Sequence, residues 1–163
     1  MYKRQIEAFE ESRARATARA LESDGARPTG SHAEVAAFAY LENAVESVRA
    51  SVEGAEGVVV ERTRGSTSGT TGGTWKTAYA NATYVGVRVR DARARAEGWE
   101  EVALVVSAHV DTVHASVGGS DNGANCAAAL EATRAAARRI ASDARTRGSV
   151  SYTHLTLPTI LLV

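Results

Sequence analysis

A histidine and two aspartates lie close together in the stretch SAHVDTVHASVGGSDNGAN, residues 107–125. Asp111 follows His109 by two residues, and Asp121 comes twelve residues after His109 in a glycine-rich segment. Imidazole and carboxylate are side chains that bind zinc. Asp111 would lie on the same side of an extended chain as His109, because side chains alternate with period two. We therefore predict that His109 and Asp121 bind metal and that Asp111 orients the imidazole.

Each of these residues also has an ordinary structural interpretation. His109 could be a hydrogen-bonded residue at the end of a strand, and Asp111 could be a turn residue. Asp121, just before an alanine-rich run, could cap a helix by accepting from its free amides. The metal-site interpretation depends on the three residues occurring together on a strand, a glycine-rich loop and a helix.

The elements around these residues predict an α/β domain. The nearly continuous apolar run VALVVSAHV, residues 102–110, predicts a central strand buried on both faces. His109 would then lie at the carboxyl end of that strand, where open α/β sheets place their ligands. A helix is predicted over 123–142, with Glu131 and Arg134 on its solvent side.

The remaining predicted elements precede this unit. Ser31 followed by Glu34 is typical of a capping box and predicts that a helix starts there. The others are a helix over 3–23, a short strand over 57–63, a flexible Gly/Thr/Ser loop over 64–75 and a strand over 79–91.

Composition excludes several classes of protein. Nineteen basic and nineteen acidic residues cancel, so no overall field would attract nucleic acid or an anionic membrane. The single cysteine, Cys126, excludes an internal disulfide and is predicted to be a buried packing residue. No apolar run is long enough to span a bilayer, so membrane attachment would come only from segments absent from this chain.

The stretch ALVVSAHVDTVHASVGGSDNGANCAAALEATRAA closely resembles the zinc aminopeptidases of the family 28 metallopeptidases. Within that family it looks most like the lumenal domain of the endoplasmic reticulum metallopeptidase group. ARPTGS, residues 26–31, and YANATYVGVRV, residues 79–89, fall where that group has comparable segments. The resemblance covers about residues 20–142. It implies an incomplete three-layer α/β/α sandwich with a mixed sheet, on the lumenal side of an endoplasmic reticulum membrane protein.

The same resemblance implies a two-zinc site. His109 would bind one zinc, Asp121 would bridge two, and Asp111 would orient His109. The implied reaction is hydrolysis of a peptide bond at the N-terminus of a peptide substrate, with zinc polarising the carbonyl and a glutamate as general base. The family also needs a Glu-Glu pair, an aspartate and a histidine further on, and no acidic residue follows Asp143. We therefore expect this chain alone to be inactive.

The tail SYTHLTLPTILLV contains none of the Ala, Arg, Glu and Gly that dominate the preceding sequence. We predict the N-terminal part of one zinc-peptidase-like domain over residues 1–147 and an aberrant or non-native tail over 148–163. Two alternatives remain. One is a non-catalytic lumenal binding module on the same fold. The other is a zinc amidohydrolase of the acylase and carboxypeptidase-like group, which shares HVDTV but takes its bridging aspartate from much later in the chain.

Overall fold

A computed structural model describes residues 9–55, 57–71, 77–92, 103–142 and 152–156. The described residues contain the α-helices α1 (Glu11–Glu22), α2 (His32–Ala50) and α3 (Ala124–Ser142), and a distorted five-residue helical turn, Gly119–Gly123, precedes α3. Their four strands are β1 (Val58–Thr71), β2 (Thr77–Asp91), β3 (Ala103–Ser107) and β4 (Tyr152–Thr156). No helix in the described ranges is both long and apolar enough to cross a membrane.

The four strands form one mixed sheet in the order β1-β2-β4-β3. β1 and β2 are an antiparallel pair, β4 runs antiparallel to β2, and β4 runs parallel to β3. The prediction of an incomplete α/β fold with a mixed sheet is therefore confirmed. β4 lies within the segment predicted to be an aberrant tail, and that domain boundary stays a prediction.

All three helices share one apolar core with one face of this sheet. Val85, Val87 and Val89 alternate along β2 and are almost fully buried, as expected for a strand with one face on the core. The helical residues packed in the same cluster are Leu21 from α1, Phe38, Leu41, Val45 and Val48 from α2, and Cys126, Ala129, Leu130, Ala137 and Ile140 from α3. Two of the three expected layers thus lie within the described residues.

The start of α2 follows the sequence signature closely. The Ser31 side chain accepts a hydrogen bond from the Glu34 amide at 3.1 Å. The Glu34 carboxylate reaches back and accepts from the Gly30 amide at 2.6 Å. Burial raises the pKa of the Glu34 carboxyl, and the Gly30 amide lowers it. The net effect is a raised pKa, because loss of hydration outweighs the single amide contact.

The predicted flexible loop over 64–75 is wrong for its first part. Residues 64–71 were expected to be a flexible loop, but they continue β1, which pairs with β2 as far as Thr71. Threonine and serine fit a pleated strand, and the pairing with β2 supplies hydrogen bonds that a loop would lack. Residues 72–75 of the expected loop, and residues 3–8 of the expected first helix, lie outside the described residues, and α1 begins at Glu11.

The predicted central strand is shorter and more exposed than expected. β3 ends at Ser107 and lies at the edge of the described sheet, and the Val105 side chain is 58% exposed. A continuous apolar run therefore did not identify a strand buried on both faces among the elements described here.

The expectation that Glu131 and Arg134 face solvent is also wrong. Both are buried, because α1 packs on α3 and Arg13 of α1 pairs with Glu131. Helical periodicity cannot show this, since the partner lies 118 positions earlier in the sequence.

Candidate metal-binding site

The structure brings the three predicted site residues together just beyond the carboxyl end of β3. His109 is half-buried, and its Nε2 atom lies 2.9 Å from Oδ1 of Asp121. Its Nδ1 atom lies 3.0 Å from the main-chain oxygen of Asp111. Both ring nitrogens of His109 therefore contact the two aspartates that the sequence singled out.

These contacts determine how a neutral His109 ring would be protonated. The Asp111 main-chain oxygen can only accept, so Nδ1 must carry hydrogen and donate to it. In the neutral ring, Nε2 then presents its lone pair toward the Asp121 carboxylate. If Nε2 carries a proton, the 2.9 Å contact is a hydrogen bond that Nε2 donates to Oδ1 of Asp121, and the same two atoms could instead share a metal ion. This arrangement fits the nitrogen and oxygen ligands that zinc accepts.

Asp111 contacts His109 mainly through its backbone. Its Oδ1 atom is 3.4 Å from Nδ1 of His109, longer than the 3.0 Å contact of its main-chain oxygen. The carboxylate is buried, and within the described part of the chain neither of its oxygens has a hydrogen-bond partner. A buried carboxylate without partners is costly, so nearby positive charge matters at this position.

Asp121 lies in a sharply turned loop rather than in regular helix. Gly118 has a positive φ of 65°, and the Gly123 amide donates to the Gly118 carbonyl at 2.8 Å, which closes the loop. Asp121 itself has φ −126° and ψ 83°, and its peptide bond to Asn122 is cis. Its side chain is 86% exposed and contacts His109. In the described structure this carboxylate faces the imidazole across the loop.

Arg27 is a residue of this region that the sequence interpretation missed. Its guanidinium is fully buried beneath the loop. Nε donates to the Val110 carbonyl at 2.9 Å, and Nη1 donates to the Val117 carbonyl at 2.9 Å and to the Leu21 carbonyl. The only available signal was an arginine in the turn segment ARPTGS, and nothing in the sequence indicated that it is buried.

The charge of Arg27 lies among acidic and ionisable groups. Burial lowers the pKa of its guanidinium, whereas Cys126, Glu22 and Asp111 each act to raise it. An arginine keeps its proton at any physiological pH, so Arg27 is a fixed positive charge near the buried Asp111 carboxylate.

Cys126, in the first turn of α3, holds the backbone of His109. Its buried thiol donates to the His109 carbonyl oxygen at 3.1 Å. Burial raises the pKa of this thiol to about 12, so it stays protonated and remains a donor. The prediction of a buried packing residue is confirmed, and the thiol also fixes the residue that bears the imidazole.

The site within the described residues is small. No group of three or more histidine, cysteine, aspartate or glutamate side chains is placed to hold a metal ion in that part of the chain. A catalytic zinc normally has three protein ligands and a water. Among the described residues, His109 and Asp121 are therefore a candidate pair of ligands and do not form a complete metal centre.

The sequence profile of peptidase family M28 matches residues 89–149, which include β3, the site loop and α3. The resemblance to the family 28 metallopeptidases is therefore confirmed over this segment, and the assignment to the endoplasmic reticulum group is not. A search of curated proteins found no significant match.

Solved structures share the fold at low sequence identity. LapB from Legionella pneumophila superposes with a TM-score of 0.63 at 17% identity, covering 93% of this chain and 36% of LapB. Glutaminyl cyclase from Porphyromonas gingivalis gives 0.60 at 15% identity, covering 93% of this chain and 45% of the cyclase. A leucine aminopeptidase precursor from Bacteroides thetaiotaomicron gives 0.60 at 15% identity, covering 90% and 46%. The chain thus spans less than half the length of these structures.

Proposed function

Because the chain carries the M28 peptidase pattern over residues 89–149 on a fold shared with an aminopeptidase, we propose that it is the N-terminal part of a two-zinc aminopeptidase domain. His109 and Asp121 would be metal ligands, and Asp111 would position His109. The observation that carries this proposal is the 2.9 Å approach of Nε2 of His109 to Oδ1 of Asp121.

The residues present fit a zinc ion. The neutral imidazole offers a nitrogen lone pair, and the exposed Asp121 carboxylate leaves an oxygen free for a second ion. Asp111 holds the other ring nitrogen through its carbonyl, which sets the tautomer that a ligand histidine needs. When bound, zinc would polarise a substrate carbonyl and make water more acidic.

The remaining parts of a catalytic centre would come from sequence that follows α3 in the complete domain. These are a glutamate general base and the other ligands that two zinc ions require. We propose that the substrate is a peptide, cleaved at its N-terminus. We propose the endoplasmic reticulum lumen as the location, and only the sequence resemblance supports this. This chain alone is then expected to bind zinc weakly and to hydrolyse no peptide.

Zinc titration by calorimetry tests the ligand assignment. We expect the chain to bind zinc, and His109→Ala and Asp121→Asn each to abolish the binding. His114→Ala is the matched control, because His114 is an exposed histidine in the same loop, three residues after Asp111. Unchanged binding by His109→Ala, or equal loss in His114→Ala, would refute the assignment.

A long read of the source DNA across the codons for residues 148–163 tests whether the domain continues. If the frame leads into a Glu-Glu pair and further aspartate and histidine ligands, the longer protein should release N-terminal residues from peptides, and a chelator should stop it. A continuing frame without the acidic pair would favour the non-catalytic binding module. A bridging acid located much later would favour the amidohydrolase. Because glutaminyl cyclases share this fold, cyclase activity should be assayed alongside.

A further inference from the structure

We propose that Arg27 is a positioning residue. It would hold the two backbone segments that bear His109 and Asp121 at a fixed separation, so that the two side chains can share a cation. This inference rests on the proposed function, since it assigns a role toward the same ligand pair. Arg27 contacts neither ligand side chain in the described structure. It acts on the two stretches of backbone that bear them.

The first stretch is the segment that carries His109. Nε of Arg27 donates to the carbonyl of Val110, the residue between His109 and Asp111, at 2.9 Å. The backbones of Arg27 and Thr112 are also paired: the Thr112 amide donates to the Arg27 carbonyl at 3.0 Å, and the Arg27 amide donates to the Thr112 hydroxyl at 2.7 Å. These bonds hold the backbone directly after His109, at Val110 and Thr112, in a fixed position.

The second stretch is the loop that carries Asp121. Nη1 of Arg27 donates to the carbonyl of Val117, directly before the turn at Gly118, at 2.9 Å. A Cβ atom at Gly118 would lie 3.1 Å from Nη2 of Arg27 and 2.7 Å from the Asp121 main-chain oxygen. A Cβ at Gly123 would lie 3.6 Å from the same nitrogen. The loop therefore folds closely over the guanidinium.

A third contact ties this arrangement to the helical layer. Nη1 of Arg27 also donates to the carbonyl of Leu21 in the last turn of α1. A guanidinium presents several donors in a rigid plane, so one side chain can hold three carbonyls from three segments. A lysine ammonium offers a single point of charge and cannot reproduce that spread. The arginine also places a positive charge near the buried Asp111 carboxylate.

The test compares Arg27→Lys with Arg134→Lys in this chain. Arg134 is another buried arginine, but it pairs with Glu131 on α3 away from the ligand pair. The first readout is amide hydrogen exchange in the metal-free chain, at Gly123 in the loop and at Leu130 in α3. The second readout is zinc affinity by calorimetry at a temperature where each variant is folded.

We expect Arg27→Lys to speed exchange at Gly123 at least about tenfold without a matching change at Leu130. We expect its zinc affinity to fall about 10- to 100-fold, as when groups that hold metal ligands are removed. Arg134→Lys should change neither the exchange rate at Gly123 relative to that at Leu130 nor the zinc affinity. Unchanged Gly123 exchange and zinc affinity in Arg27→Lys, or the same losses in Arg134→Lys, would overturn the proposal.

Two further arms keep the result decisive. If Arg27→Lys does not fold, Thr112→Val removes the acceptor of the Arg27 amide and is measured by both readouts. Thr112→Ser keeps the hydroxyl and should show the Gly123 exchange rate and zinc affinity of the unsubstituted chain. Equal values for Thr112→Val and Thr112→Ser would count against the proposal. Absence of zinc binding by the unsubstituted chain would refute the assignment of His109 and Asp121 as a ligand pair, whereas the exchange result tests the role of Arg27 in the loop separately.

Discussion

The buried ion cluster around Glu131 gives a sharp test of how α1 is attached to α3. The Glu131 side chain is 1% exposed. It accepts from Nε and Nη2 of Arg13, each at 2.9 Å, from Nη1 of Arg134 at 2.7 Å and from the Glu10 amide at 3.0 Å. One carboxylate thus holds the N-terminal side of α1 against the middle of α3.

We expect Glu131→Gln to destabilise the chain by about 3 kcal/mol. A hydrogen bond to a charged group contributes about 1.5–3 kcal/mol, and removing one partner of a buried pair costs about 3–5 kcal/mol. Glutamine keeps one acceptor oxygen but turns an NH2 group toward the arginine donors. The Arg13 side chain is 29% exposed and can regain water, whereas that of Arg134 is only 7% exposed and cannot. The expected loss is therefore about 3 kcal/mol, the lower end of the range for breaking a buried pair.

Urea unfolding followed by circular dichroism measures this loss, with Glu46→Gln as the control. Glu46 pairs with Arg49 and Arg62, and the three side chains are between 39% and 67% exposed. Its loss should cost at most about 0.5 kcal/mol, as for other surface pairs. A cost below about 1 kcal/mol for Glu131→Gln, or equal costs for the two variants, would refute the reasoning.

The pH dependence provides a second check on Glu131. Burial acts to raise the pKa of this carboxyl, but the hydrogen bonds from Arg13, Glu10 and Arg134 outweigh it, and the pKa is lowered from 4.5. The stabilisation is therefore complete above the unfolded-state pKa and is lost as pH falls through the lower folded-state value. The stability difference between the unsubstituted chain and Glu131→Gln should be constant near neutral pH and shrink in acid. A difference that grows in acid would contradict the assignment.

Four smaller predictions follow from other contacts. Ser31→Ala should lower the free energy of unfolding in urea by about 0.5–2 kcal/mol, because it removes the acceptor for the Glu34 amide. Ser31→Asn keeps an acceptor and should retain most of the stability. Gly118→Ala should cost at least about 1 kcal/mol, since φ is positive there and a Cβ would overlap the Thr112 side chain, and an unchanged midpoint would contradict the loop geometry. Cys126 should react with a thiol reagent only as fast as the chain unfolds, because burial raises its pKa to about 12, and rapid labelling of the folded chain would contradict this. Deleting residues 148–163 should lower the melting temperature, because β4 pairs with both β2 and β3, whereas an unchanged melting temperature would support a tail foreign to the domain.

Local signals in the sequence predicted what depends on local chemistry. The helix start at Ser31 was predictable because a capping box satisfies amides within four residues. The approach of His109 to Asp121 was expected from residue types on a strand, a loop and a helix. The strand predicted over 79–91 is also present, and Val85, Val87 and Val89 form its buried face in β2.

Contacts between distant segments account for what the sequence did not show. The burial of Arg27 depends on carbonyls from α1 and from two parts of the site loop, and no pattern within ARPTGS encodes that meeting. Glu131 is buried because Arg13 reaches it from another helix. The β1 extension through residues 64–71 is stabilised by pairing with β2, which overrides the loop-like composition of the segment.

Main-chain contacts position the proposed ligand pair, His109 and Asp121, so a loss of metal affinity can be distinguished from a loss of folding stability. Four carbonyls around the pair accept hydrogen bonds. Cys126 donates to that of His109, and Arg27 donates to those of Val110 and Val117. The Gly123 amide donates to the carbonyl of Gly118. The ligand side chains contribute little beyond their contact with each other, and the Asp121 side chain is largely exposed. Substituting a ligand should therefore remove metal binding at small cost in stability, because no core packing or backbone bond is lost. Substituting Arg27 should reduce metal affinity and the local stability of the loop, since it leaves buried carbonyls there without donors.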